Sequence, residues 1–261
     1  MGIVNLTPDS FSSDGLGSNL ASALAHARQQ IEAGADILDI GAESSRPGAM
    51  PTPEDEELRR LLPLLEKISD WGVPISVDTY KPAVMRAALA AGASMINDIA
   101  GLRYPGALEA VQGADCAVCL MHMQGEPGSM QQAPEYRDVV AEVGGYLSER
   151  LALCRQGGVA AERIVLDPGF GFGKTLAHNL ALFQALPELG AAGYPLLVGV
   201  SRKTMLGAIT GRPVEQRLSA SVAAAMLAAQ KGAKILRVHD VAATVDALKV
   251  QAAIEQGECD V

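Results

Sequence analysis

Aromatic side chains are scarce in this chain: four Phe, five Tyr and one Trp among 261 residues. A core built from 49% apolar residues is therefore almost wholly aliphatic. Three of the four Phe are not in apolar runs at all. Phe11 lies in NLTPDSFSSDG, and Phe170 and Phe172 lie in DPGFGFGK. Large rings normally fill cores, so rings in glycine-rich segments after short strands point to ligand contact, or to a loop folded back on its own scaffold. Cysteine is also sparse, with four residues. Cys116 and Cys119 form a lone C-x-x-C inside an apolar run, which reads as buried thiols rather than zinc ligands, and the set fits a reduced, cytoplasmic protein. Basic charge is short: 21 Lys and Arg face 30 Asp and Glu, a net charge of −9. No cationic field exists to attract nucleic acid or an anionic membrane, so any anionic ligand must be held by a few local cations. No apolar run reaches the roughly 20 residues of a membrane span. The chain opens directly into strand-like sequence, with no signal-peptide pattern. No G-x-G-x-x-G follows the first strand, which counts against an open dinucleotide-binding sheet.

What is present is a repeat. A helix-like stretch ends in Gly, a short Val/Ile/Leu run follows, and a polar cluster closes it. Instances are AGADILDIGAES, AGASMINDI, QGADCAVCLMH, AGYPLLVGVSRK and KGAKILRVHD. Gly supplies the left-handed helix end, and the apolar run is that of a strand buried on both faces. With GIVNL, VPISVD and RIVLD there are eight strands. Helices are expected over residues 19–33, 53–71 (Thr52 as N-cap), 82–91, 105–112, 134–156, 179–189, 215–231 and 241–256, with Asp240 capping the last. Eight β-α units imply an α/β chain folded as one (β/α)8 TIM barrel over residues 1–261, its active site at the C-terminal ends of the strands.

Nearly every strand ends in a polar group: Asn5, Asp39, Asp78, Asn97 with Asp98, His122, Asp167, Ser201 to Lys203, and Arg237 with His239. Period-2 geometry puts Arg237 and His239 on one face of the last strand, beside Asn5 of the first, forming an anion pocket. Asp78, Asn97, Asp167 and Lys203 converge on the mouth, where uncompensated charges need a polar ligand. Asp167 suits the amidine-like edge of a fused heterocycle, and Lys203 a carbonyl or ring nitrogen. A self-satisfied Asp–Lys pair, or an ion pair between Arg237 and a barrel-top carboxylate, would be the purely structural alternatives.

VNLTPDSFS, GAESSRPGA, ISVDTYKP, INDI, CLMHMQG, LDPGFGFGK, GVSRK and RVHD together resemble the dihydropteroate synthases, from Met1 to about Ile254. The resemblance implies a cytoplasmic TIM-barrel transferase, usually a homodimer and the target of sulfonamides. The reaction it implies joins p-aminobenzoate to 7,8-dihydropterin-6-ylmethyl diphosphate, giving 7,8-dihydropteroate and pyrophosphate. It implies pterin ligands at Asp78, Asn97, Asp167, Lys203 and Arg237, with Met121 and Gly199 lining the pocket. It places Mg²⁺ and diphosphate at Asn5, and the rest of the diphosphate site at Ser45, Arg46, Arg237 and His239. Phe11, Ser45, Arg46, Pro47, Phe170, Lys203 and Thr204 fall where the p-aminobenzoate site is built. The catalytic set is then Asn5, Asp78, Lys203, Arg237 and His239. The chain departs from the family in a first loop with one extra residue between Phe11 and Asp14, in Ser45 and Thr204 where Thr and Ser are common, and in starting at the first strand without the family's N-terminal hairpin. A pterin-binding methyltransferase domain and a non-catalytic pterin-binding homologue are the competing readings.

Overall fold

The computed structural model describes residues 1–6, 16–44 and 48–257, with side chains described from residue 20 in the first helix and not at residue 256. Phe11, Asp14, Ser45, Arg46 and Pro47 therefore lie outside the described residues.

Eight parallel strands alternate with helices: β1 (Gly2–Asn5), β2 (Leu38–Gly41), β3 (Ile75–Asp78), β4 (Met95–Asp98), β5 (Ala117–Met121), β6 (Ile164–Asp167), β7 (Leu197–Val198) and β8 (Ile235–Leu236). β1 to β6 pair in sequence order and β7 pairs with β8. Two further links close the ring. Leu166 N donates to Pro195 O at 3.0 Å before β7, and Ile3 N donates to Val238 O at 3.1 Å after β8. The sheet has no free edge, so the open doubly wound alternative is excluded and the barrel stands.

Alternation along each strand sorts the side chains. Val4, Ile40, Val77, Ile96 and Leu120 face the helices in the main core. Met1, Met95, Cys119, Val165 and Leu197 pack together as a second, smaller apolar cluster. The polar strand ends complete the interior above it.

The helices are α1 (Leu16–Glu32), α2 (Glu54–Ile68), α3 (Pro82–Ala90), α4 (Ala107–Gln112), α5 (Val139–Gln156), α6 (Leu176–Gln184), α7 (Leu186–Leu189), α8 (Thr204–Thr210), α9 (Leu218–Gln230) and α10 (Val241–Gln256). Several details differ from the sequence reading. Pro53, not Thr52, occupies the α2 N-cap with no side-chain cap, and Glu54 to Glu57 line the first turn instead. α5 starts at Val139 because Asp138 accepts from Val140 N and Ala141 N, both at 3.0 Å. The segment expected over 179–189 is two helices, broken at Ala185 ahead of Pro187. Asp240 sits at the α10 N-cap position without capping it, because its carboxylate pairs with Arg202.

Candidate active site

The mouth is organised around Arg237, which follows β8. Its Nε donates to Asp39 Oδ2 at 2.5 Å and its Nη2 to Asp78 Oδ2 at 3.0 Å. Asp39 is 0% exposed and is also held by Ser76 Oγ at 2.6 Å and Asn97 Nδ2 at 3.4 Å. A buried carboxylate needs such partners. The sequence names Asp39 among the polar strand ends and offers a barrel-top carboxylate as partner for Arg237; that ion pair forms, with Asp39 and Asp78 both, though nothing in the spacing singles out Asp39 for it. Burial works against the charge of Arg237, yet Asp39 and Asp78 keep its pKa above the ordinary value. Its Nη1 makes no hydrogen bond among the described residues and remains a donor for a ligand.

Burial pushes the Asp78 carboxyl up to about 7, against the pull of Arg237. Asp39 helps to fix the amide of Asn97: a carboxylate only accepts, so the Asn97 nitrogen turns to it. That leaves Asn97 Oδ1 buried without a partner. An orphaned acceptor of this kind is met by a ligand N–H.

Asp167 ends β6. Its Oδ1 accepts from Gly169 N at 2.7 Å, and burial raises its pKa against the pull of Lys203. No ion pair joins Asp167 to Lys203, so the self-satisfied pair does not form. Lys203 Nζ instead donates to Phe170 O at 2.6 Å and lies 4.7 Å from the centre of the Phe172 ring. Burial lowers its pKa to about 8. Gly199 lies between the two cations. A Cβ there would meet Arg237 Cβ at 3.6 Å, Arg237 Cδ at 3.7 Å and Lys203 Nζ at 4.0 Å. The missing Cβ leaves the space between the Arg237 side-chain stem and the Lys203 ammonium unfilled by Gly199. Met121 is buried with Ile99, Met123 and Met130, against Phe172 and Tyr80.

Phe170 is a correction. Its ring is 0% exposed and packs on Phe183 at 5.7 Å between centres, so it cannot stack on a ligand. The loop folds that ring back onto the scaffold and offers its carbonyl instead. Phe172, which the sequence offers as a ligand contact without assigning it to either substrate, is the ring beside Lys203.

His239 Nδ1 lies 3.1 Å from Ser201 Oγ. Burial, with Arg237 next, lowers its pKa to about 4. It is neutral at pH 7 and offers a hydrogen bond rather than a full charge. Arg202 sits between Ser201 and Lys203 at φ 58°, a left-handed conformation unusual for a side-chain-bearing residue. It is held by Ser221 Oγ accepting from its N–H at 2.9 Å and by Arg217 Nη1 donating to its carbonyl at 3.0 Å. Thr204 opens α8 and is exposed. Asn5 ends β1, with a Cβ built on neighbouring Gly41 lying 3.7 Å from Asn5 Oδ1 and 3.8 Å from Asp78 Oδ2.

The structure thus brings Asn5, Asp78, Asn97, Met121, Asp167, Gly199, Lys203, Arg237 and His239 to one end of the barrel. A flat, nitrogen-rich ring with donors on one edge suits the acceptors of Asp167 and Asn97. An anion fits the side of Arg237, His239 and Asn5.

Comparison with known proteins agrees with that chemistry. The family model described as pterin binding enzyme matches residues 1–239. A dihydropteroate synthase of Neisseria meningitidis serogroup C is 55% identical over 259 residues, covering 97% of this chain and 92% of the relative. The Xanthomonas albilineans dihydropteroate synthase solved with 4-aminobenzoic acid is 54% identical with a TM-score of 0.92, covering 97% of this chain and 92% of that one. The same organism's enzyme in complex with 7,8-dihydropteroate is 51% identical with a TM-score of 0.89, over 97% and 92% of the two chains. With the barrel, its polar strand ends and these matches together, the chain belongs to the pterin-binding enzyme family.

Proposed function

We propose that this chain is a dihydropteroate synthase, joining p-aminobenzoate to 7,8-dihydropterin-6-ylmethyl diphosphate with release of pyrophosphate. The observation that carries the reading is what gathers at the strand ends: Arg237 and Lys203 with bare Gly199 between them, the buried Asp167 carboxylate, and the buried, unpartnered Asn97 Oδ1. Asp167 accepts from the amidine-like edge of the pterin, Asn97 Oδ1 from a further N–H, and Lys203 donates to the ring carbonyl or nitrogen. Met121 supplies apolar floor. A methyl-transferring relative would have no use for the anion side of the mouth.

The reaction breaks the bond between the pterin methylene carbon and the diphosphate oxygen and forms a bond from that carbon to the aryl nitrogen, which then loses a proton. An aryl amine is already neutral, so no strong base is needed. The charge that grows on the departing diphosphate faces Arg237 Nη1 and the His239 ring. Departure first leaves a cation delocalised over the pterin, and Asp78 stabilises it electrostatically. Asn5 suits Mg²⁺: it offers an amide oxygen at the strand end, on the same side of Gly41 as the Asp78 carboxylate. An ion there would take its other oxygens from water and diphosphate, as Mg²⁺ does. When bound, it supplies charge neutralisation of the diphosphate. p-Aminobenzoate then lies beside Phe172, Lys203 and Thr204, and sulfonamides compete for that position as aryl-amine mimics. Ser45, Arg46, Pro47 and Phe11 complete the family pattern from outside the described residues.

We also propose a cytoplasmic homodimer. No described helix is long and apolar enough to cross a membrane. Leu180 of α6, Ile209 of α8, and Leu218 and Leu227 of α9 are exposed apolar side chains on neighbouring helices, as a second copy would require. Mixing the protein with both substrates and Mg²⁺ tests the activity. Pyrophosphate must appear one-for-one with 7,8-dihydropteroate, and its absence would overturn the reading.

A further inference from the structure

The turn after β6 contains a lysine that the reaction does not use. Lys174 is 3% exposed. Its Nζ donates to Gly169 O and Phe172 O, both at 2.9 Å, and lies 2.9 Å from His122 Nδ1 and 3.4 Å from His122 O. Asn179 of α6 grips the same turn, accepting from Gly171 N at 2.8 Å and donating to Thr175 O at 2.7 Å. Tyr136 Oη donates to Gly173 O at 2.8 Å and Gln131 Nε2 to Gly171 O at 2.5 Å.

The turn needs these anchors. Gly169, Gly171 and Gly173 stand at φ 71°, 80° and 60°. Three left-handed glycines within five residues lose more conformational freedom on folding than any other composition. The turn also presses on the segment after β5: a Cβ on Gly169 would lie 1.9 Å from His122 O, and one on Gly173 2.5 Å from Gln124 O. The result is a fixed alternation. The Phe170 ring points into the core while its carbonyl meets Lys203, and the Phe172 ring lies by the same ammonium. A buried amine is an unfavourable way to fill space, so its use here is to gather the carbonyls.

We infer that Lys174 is a positioning residue for the aryl-amine side of the site. By clamping the carbonyls of Gly169 and Phe172 it sets the Phe172 ring and the Phe170 carbonyl against Lys203, and so aims Lys203 at the second substrate. The inference rests on the function proposed above.

The test is Lys174→Met, measured by steady-state pyrophosphate release with each substrate varied, and by calorimetry of the pterin diphosphate alone. The expected result is a p-aminobenzoate KM raised on the order of tenfold or more, the range seen when a supporting residue is lost. Turnover at saturation and pterin affinity stay within about threefold, since Asp39, Asp78, Asn97 and Arg237 hold one another without Lys174. Asn179→Ala, which loosens the same turn from the other side, gives the same split and serves if Lys174→Met does not fold. A joint loss of pterin and p-aminobenzoate binding in the soluble variant would mean a merely structural role and overturn the inference. Unchanged constants for both substrates would overturn it too. Failure of the proposed function shows elsewhere, as absence of pyrophosphate release by the unaltered protein.

Discussion

Phe170 and Phe172 stand two positions apart and do opposite things. Phe170→Ala removes a ring from the main core and should cost about 3–5 kcal/mol in denaturant unfolding. Phe172→Ala removes a half-buried ring at the mouth; stability should change by about 1 kcal/mol or less, as at a surface position, while the p-aminobenzoate KM rises. Sequence alone could not assign the two rings, because their directions depend on left-handed glycines at 169, 171 and 173. The strand-end residues were legible because strand periodicity dictates which way they point. Gly199 gives the sharpest test at this scale. A methyl at 3.6–4.0 Å from its neighbours is ordinary contact, so Gly199→Ala should fold normally. It should nevertheless lose pterin affinity by about 1–3 kcal/mol, because the methyl takes space between the Arg237 stem and the Lys203 ammonium that the proposed ligand needs. Normal affinity in calorimetry would place the ring elsewhere.

Strands were the readable elements, since each is a short run buried on both faces between a helix end and a polar cluster. α8 was not read: TMLGAIT follows SRK directly and has no capping side chain. The last strand carries more structure than its two-residue length suggests. Arg237 neutralises Asp39, which is wholly buried, so Arg237→Ala affects more than turnover. It should cost about 3–5 kcal/mol of stability by leaving an unpaired buried charge. Adding Asp39→Asn should recover part of that loss without restoring turnover, a pattern a double-mutant cycle would reveal. The turn after β6 should respond to pH. Burial lowers the Lys174 pKa to about 7, opposed by Asp167. Between about pH 7 and the ordinary lysine value, the unfolded chain holds a proton that the folded chain does not. Stability should therefore rise with pH through the lower part of that window, more steeply in the parent than in Lys174→Met. Equal slopes in the two proteins would remove Lys174 as the cause.

At the scale of the whole molecule, the barrel is closed by backbone bonds from β6 to β7 and from β8 to β1, which brings Asn5 and Arg237 to the same mouth from opposite ends of the chain. That closure was legible in the eight-fold repeat. The proposed dimer face was not, because exposed apolar residues on three different helices share no sequence pattern. Ile209→Glu should shift the protein toward monomer in sedimentation equilibrium while leaving the barrel folded; an unchanged mass would move the interface elsewhere. The central claim is that a pterin occupies the barrel mouth, held by Asp167 opposite Lys203. The most direct measurement is calorimetric titration of the pterin diphosphate, with Mg²⁺ and without p-aminobenzoate, into the parent and Asp167→Asn. One ligand should bind per chain in the parent, and the variant should bind more weakly by about 2–4 kcal/mol, as when a charge-assisted hydrogen bond loses its charge. Equal affinity in the two proteins would contradict the account.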